Sequence, residues 1–214
     1  MAYEKMIFKV TDDIMEARLG GLPILDDRVA WPTDPETGEQ LLLLASLPAS
    51  FWLKTNIGAL LPAQCCLSIF MKHPQGDRKA VRRMTVHEDS QLPNISSAPV
   101  KVLIHRTADS IRPDGVVGAI YPMLTIGLEA HSEVDRDPEM TDRGTTFSKV
   151  GGVPGWGQDE IHVPDHIFAL QLEEFEIGRA CAGWFEVFGG GVGFLFVQCK
   201  EGIIESGVFF VQFT

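Results

Sequence analysis

The chain has 214 residues, 45% apolar and 22% charged, which gives it enough apolar side chains for a substantial core and the composition of an ordinary globular protein rather than a disordered one. Its formal charge is -11, from 29 acids against 18 bases, a balance that repels nucleic acid and anionic membranes and favours encounter with cationic partners. No stretch approaches the roughly 20 consecutive apolar residues of a membrane span, and the start, MAYEKMIFKVTDD, has neither the apolar run of a signal peptide nor the acid-poor composition of a transit peptide.

In chain order, MIFKV (6–10) alternates as a strand does, and Asp12 to Leu19 predicts a helix capped by Asp12 or Asp13. RLGGLP (18–23) follows, then the turn-rich WPTDPETGEQ and the apolar run LLLLASL, Leu41 to Leu47. A second apolar run, CCLSIFM, occupies 65–71, and RRMTVHE (82–88) and VKVLIHR (100–106) predict further strands. Tyr121 to Ser132 predicts a second helix, and the polar SEVDRDPEMTDRGTT (132–146) reads as a loop at the seam between two halves. KVGGVP (149–154) then repeats the earlier pattern of cation, apolar residue, two glycines, apolar residue and proline, with the glycine pairs 131 residues apart. After it come the loop GWGQDEIHVPDH, the run IFALQL (167–172), a short strand WFEVF (184–188) and the run VGFLFVQC (192–199). A closing hairpin through Glu201 and Gly202 leads to GVFFVQF (207–213).

Glycine corner, loop, strand, linker, strand thus occurs twice. Paired glycines permit positive φ and the proline refuses a ladder hydrogen bond, so Gly20, Gly21 and Pro23, and again Gly151, Gly152 and Pro154, read as structural corners rather than anion cradles. The expectation is one α+β domain spanning 1–214, mostly antiparallel sheet with few helices. It would consist of two divergent repeats, about 1–131 and 147–214, joined by the loop 132–146.

Motifs that carry chemistry are weak or missing. His162 and His166 are four apart beside Asp159, Glu160 and Asp165, but Pro164 between them argues for a loop over a helix-borne zinc site. Asp135, Asp137, Glu139 and Asp142 alternate as calcium ligands do, yet Met140 stands where an EF-hand loop requires glycine. GGGVG (189–193) leads into a strand and is a turn, not a dinucleotide fingerprint, and neither a phosphate-binding loop nor a nucleophile elbow occurs. Cys65, Cys66, Cys181 and Cys199 form no C-x-x-C pair. They read as thiols of a reducing compartment, Cys65 and Cys66 as core residues, so cytoplasmic location is expected. The basic stretch with Lys72, Arg78, Lys79, Arg82 and Arg83 has no interleaved aromatics to stack bases and reads as a solvated hairpin loop or a salt-bridge partner for the acidic half. No metal and no cofactor is expected.

The two corners, WP after the first, LLLLASL and FALQL after them, and FGGGVGFLFV near the end resemble the YwqG-like family of bacterial domains of unknown function. Arg18, Gly20, Gly21, Pro23, Trp31, Pro32, Leu44 and Ala45 match the pattern of its first half. Lys149, Gly151, Gly152, Pro154, Gln158, Leu170, Gln171, Leu172, Gly191 and Gly193 match that of its second. Two departures are Ser46, where the family often has glutamine, and the final glycine turn, where it often has aspartate. The resemblance implies a mostly β fold with two related halves. It also gives a lead toward bacterial toxin and immunity systems.

Fifteen acids against five bases in residues 121–214 give that third a charge of -10. Together with the missing catalytic motifs, this favours a non-enzymatic binding module, most concretely an immunity protein covering a cationic toxin such as a nuclease. Charge complementarity would set the association rate and buried aromatics the affinity. Candidate contacts are Asp159, Glu160, Glu173, Glu174 and Glu176, with Trp156 as anchor. The alternative is a small-ligand or enzymatic site between the halves, to which Gln158, Gln171, His162 and Glu186 would converge.

Overall fold

A computed structural model describes residues 2–73, 78–112, 120–130 and 147–213. In chain order these form β1 (Tyr3–Val10), β2 (Arg18–Leu19), β3 (Leu42–Pro48), α1 (Ala49–Trp52), β4 (Cys65–Met71), α2 (Arg78–Arg83), a 3-10 segment Asp89–Ser97, β5 (Val100–Arg106) and β6 (Leu124–Ala130). Then follow β7 (Lys149–Gly151), β8 (Ile167–Glu173), α3 (Glu174–Ala180), a 3-10 turn Ala182–Trp184, β9 (Gly191–Lys200) and β10 (Ile203–Phe213). The expected α+β fold of mostly antiparallel sheet is present as a single sheet ordered β10-β9-β8-β7-β1-β6-β2-β3-β4-β5.

That order reads alike from either end. β1 and β6 pair at the centre, with Ile7 opposite Gly127 at the midpoint. The short β2 pairs with β6 and β3, as the short β7 pairs with β1 and β8. Arg18 stands opposite Ser46 on one side and Lys149 opposite Gln171 on the other. A register irregularity falls between Leu43 and Ala45 on β3 and between Phe168 and Leu170 on β8, and each of these strands runs directly into a short helix. β1, the first strand of the chain, lies beside β7, so the spatial halves are not the halves of the sequence.

The sheet curls until its edge strands β10 and β5 face each other, as the usual right-handed twist of strands and register irregularities such as those on β3 and β8 favour. A methyl group built on Gly207 of β10 would stand 2.9 Å from Val102 of β5. The free flank of β10 is covered at one end by Leu60, bridged to Ile203, and at the other by Met84 and Val86, which exchange backbone hydrogen bonds with Val211. Covering an edge in this way removes a template for aggregation. β3, β4 and β9 are buried along nearly their whole length, which is why they read as continuous apolar runs without alternation.

Four expectations from the sequence fail for local reasons. Residues 12–17 form no helix, with bends at 14–17: Asp13 Oδ1 accepts the Met15 N–H at 2.9 Å and Thr11 Oγ1 the Asp13 N–H at 3.0 Å, turns that compete with helical bonding. Residues 124–130 are a strand because they pair along most of β1, a tertiary demand that overrides local preference. The proposed strand 82–88 is instead the end of α2 and the short cover of β10. The proposed strand 184–188 is a turn. The polar loop 132–146, with its calcium-like acids, lies outside the described residues.

Candidate functional site

Each glycine corner begins with a buried cation. Arg18 is fully buried, and its guanidinium donates to the carbonyls of Ile14 (3.2 Å), Gly20 and Leu22 (2.7 Å). Burial pulls its pKa down, with the fixed fork of carbonyls around it holding the charge in place. Gly20 and Gly21 have φ of +68° and +73°, and a methyl group on Gly20 would strike the carbonyl of Pro122 at 2.5 Å and Trp184 at 2.8 Å. Lys149, equally buried, lies over the ring of Tyr3 at 5.5 Å. Here the fastening comes from Gln171, which accepts the Gly155 N–H at 2.7 Å and donates to the Phe147 carbonyl at 2.8 Å. In both corners the paired glycines take left-handed φ behind a buried cation.

The second corner forms one wall of a cleft of about 850 Å³. Val153, Pro154, Ile161, Ile167, Phe168 and Phe196 line it with apolar surface. Ala2, Asn56 and Ile57, from the N-terminal part of the chain, face them. Trp156 also lines it but is 5% exposed, its ring stacked on Phe196 and Phe210 at 6.0 and 6.5 Å and tilted against Phe194 at 4.9 Å. Glu160, His162, Asp165 and His166 supply the polar lining. Glu160, His162 and Asp165 are exposed, and Asp159 is exposed beside them. An apolar floor with a charged rim in this size range is the usual form of a binding site.

The anticipated acidic face does not form as a unit. Asp159 and Glu160 are at the surface, but Glu174 is 3% exposed and its carboxylate accepts the backbone N–H groups of Glu186 (2.9 Å), Phe188 (2.6 Å) and Gly190 (3.0 Å). Glu173 caps α3 through the Glu176 N–H at 2.8 Å, and Glu176 accepts the Ser148 N–H at 2.7 Å and pairs with Lys5 at 3.8 Å. These three acids organise the chain, and Glu174 has no surface to offer a partner. Trp156, read either as an anchor or as a core residue, is buried among aromatics at the cleft floor. Of the polar set expected between the halves, only His162 lines the cleft; Gln171 is committed to the corner and Glu186 sits on the turn tied by Glu174.

Two cations of the basic stretch pair with the N-terminal loop. Arg83 pairs with Asp34 at 3.0 Å and Glu36 at 2.9 Å, and Lys72 with Glu39 at 2.8 Å. Among the described residues, no three histidine, cysteine or acidic side chains gather as a metal site, and all four cysteines are free thiols.

One hydrogen-bonded chain was invisible in the sequence: Ser46 to Cys66 at 3.2 Å, Cys66 to Ser68 at 3.7 Å, and Ser68 to His105 Nε2 at 2.9 Å. His105 Nδ1 lies 2.8 Å from the Arg106 carbonyl, so Nδ1 carries the proton and Nε2 accepts from Ser68. The arrangement resembles an activated hydroxyl, yet Ser68 is 1% and His105 6% exposed and neither lines the cleft. Burial lowers the His105 pKa and raises that of Cys66, which leaves the thiol a weak nucleophile. The chain satisfies buried polar groups.

Neither a scan of protein-family models nor a search of curated proteins finds a match to this chain.

Proposed function

We propose that the protein is a non-catalytic binding module that engages a cationic protein segment through the cleft beside the second glycine corner. The observation that carries this reading is the cleft itself: an apolar floor and walls, rimmed on the exposed side by Glu160 and Asp165 with Asp159 adjoining. A basic, partly apolar segment would bury its apolar side chains against Phe168, Ile167 and Phe196 while the rim acids steer and orient it. Immunity toward a cationic toxin is the most concrete form of this role, and the charge of -10 on residues 121–214 supports it. Cytoplasmic location belongs to the same proposal and is supported by four free thiols; no helix among the described residues is long and apolar enough to cross a membrane. Kinship with YwqG-like domains, and descent of the two halves from one duplicated unit, are supported by the paired corners and the end-to-end likeness of the strand order. A second reading, a small apolar ligand in the same cleft, is favoured by its volume.

The test is capture from lysate of the native source with the wild-type chain and with Asp159→Lys/Glu160→Lys, at low and high salt. A basic protein held by wild type at low salt, released by high salt and lost by the variant supports the proposal. Equal retention by both proteins refutes that face.

A further inference from the structure

A second cavity, of about 610 Å³, lies between the end of α2, residues 85–87, the 3-10 segment Asp89–Ser97 and the last residues of β10. Arg82, Arg83, His87, Gln91, Asn94 and Phe213 line it, and no acidic side chain does so among the described residues. Arg83 is already engaged: its guanidinium forks onto both carboxylate oxygens of buried Asp34 and donates to the Ser97 carbonyl at 2.8 Å. Arg82, beside it, is exposed and makes no ion pair or side-chain hydrogen bond among the described residues. Residues 71–120 supply all of the lining except Phe213 and carry eight bases against five acids, in a chain with 29 acids against 18 bases. The cavity therefore attracts an anion that the rest of the chain repels. Glu88 and Asp89, the acids nearest in sequence, lie outside the lining and accept from the Ser90 hydroxyl and the His162 N–H.

The uncharged lining groups are set to donate. Gln91 Oε1 accepts the His87 N–H at 2.7 Å, which leaves its NH2 group without a partner among the described residues. The Asn94 carboxamide is exposed and equally unpartnered. His87 Nδ1 is enclosed and meets no guest. An enclosed N–H without an acceptor is costlier than an enclosed lone pair, so the neutral ring carries its proton on Nε2 and donates from there. The hydroxyls of Thr85 and Ser97 spend their protons on the carbonyls of Val81 at 2.8 Å and Asn94 at 2.9 Å, and their oxygens are no substitute for a carboxylate beside a cation. A guanidinium fork and carboxamide donors around one cavity match an oxyanion. Phe213, half-buried and tilted against His87 at 6.0 Å, offers a flat apolar body a ring to pack on.

We propose that this cavity binds a small aromatic oxyanion, its charged oxygens on Arg82, its remaining lone pairs on Gln91 and Asn94, and its ring against Phe213. Aromatic carboxylates and aryl phosphates share this chemistry. The cavity has no lining residue in common with the cleft beside the second glycine corner, and the site holds whether or not a basic protein docks there.

The test is a two-dimensional amide NMR titration of the whole chain with sodium benzoate and, separately, sodium phenyl phosphate, with uncharged benzamide as control and ionic strength held equal. Saturable shifts confined to the surroundings of Arg82, His87, Gln91, Asn94 and Phe213 are expected with the aromatic anions, and binding of benzamide about tenfold weaker or less. Tighter binding of benzoate assigns the site to carboxylates, and tighter binding of phenyl phosphate to phosphate esters. Arg82→Gln should weaken binding about tenfold or more. Gln91→Glu keeps an acceptor for the His87 N–H but turns the donor into a carboxylate, and should abolish binding in a folded protein. Arg179→Gln, exposed on α3 and outside the cavity, should leave affinity unchanged. Absence of saturable shifts with both anions overturns the proposal, as does benzamide binding as tightly as benzoate, or unchanged affinity in a folded Arg82→Gln or Gln91→Glu protein.

Discussion

Replacing Glu174 by glutamine separates a carboxylate that builds a loop from one that meets a partner. In the native chain, Oε2 takes the N–H groups of Phe188 and Gly190 and Oε1 that of Glu186, so a single side chain holds the turn between α3 and β9. A glutamine in its better orientation keeps its oxygen toward Phe188 and Gly190 and turns its NH2 against the Glu186 N–H. One charge-assisted hydrogen bond, worth about 1.5–3 kcal/mol, is then lost, and two others fall to the roughly 1 kcal/mol of a neutral bond. The expected total is about 3–5 kcal/mol, a large part of the roughly 5–15 kcal/mol that stabilises a domain. Urea unfolding followed by far-ultraviolet circular dichroism measures it, with an unchanged m-value showing that the same surface is exposed. The neighbouring Glu173→Gln, which alters only a helix cap, should lose about 1 kcal/mol or less. A Glu174→Gln protein within about 1 kcal/mol of wild type would refute the claim that this carboxylate organises the turn.

Gly20→Ala should destabilise by about 2–4 kcal/mol, because strain at positive φ adds to a collision with the Pro122 carbonyl and Trp184. Gly38→Ala, at φ +73° but with nothing within 4 Å, should lose only the backbone part, about 1 kcal/mol; equal melting temperatures for the two variants would contradict the packing argument. Glu4 yields a pH dependence with a definite sign: burial raises its folded pKa above the ordinary 4.5, so the folded state binds the proton more tightly than the unfolded. Its contribution therefore lowers stability as pH rises from about 4.5 through the folded value. The stability of Glu4→Gln relative to wild type should accordingly be near zero at pH 3 and grow to a plateau at neutral pH, as read from urea midpoints across that range; a constant difference would show that the two proteins do not differ in this titration.

Strands buried on both faces were legible because their composition leaves little alternative: LLLLASL, CCLSIFM and VGFLFVQC all appear within a residue or two of where their apolar runs place them. The hairpin at Glu201 and Gly202 was legible for a local reason, both residues adopting positive φ. Residues 12–19 and 121–132 were misread because each carries helix-compatible residues whose partners lie far along the chain: Arg18 and Leu19 bridge Thr125 and Leu124 on β6 to Ser46 and Ala45 on β3. The candidate surface was only half legible. Asp159, Glu160, Glu173, Glu174 and Glu176 look alike as letters, and the difference between a rim acid and a buried acceptor of three N–H groups depends on the turn at 186–190 folding back over α3. Nothing in YEKMIFKV marks Glu4 as buried, since its inward register is set by Ala130 and Val150 on the flanking strands.

The two corners show how one backbone geometry can be held by different chemistry. All four glycines adopt φ between +68° and +78°, and each pair follows a fully buried cation. On the second side the residue opposite that cation is Gln171, long enough to reach the corner and saturate Gly155 and Phe147. On the first side the opposite residue is Ser46, whose hydroxyl stops at Cys66, and the corner is fastened by Arg18 through the carbonyls of Gly20 and Leu22. An arginine on one strand supplies the fastening that on the other side comes from a glutamine on the neighbouring strand. Ser46 is therefore compensated within its own corner. The final glycine turn follows the same logic, because the acid that binds its backbone comes from Glu174 on α3 and not from within the turn. Substituting Arg18 by lysine should loosen the first corner more than substituting Lys149 by arginine loosens the second, since only the first depends on the guanidinium fork for its fastening.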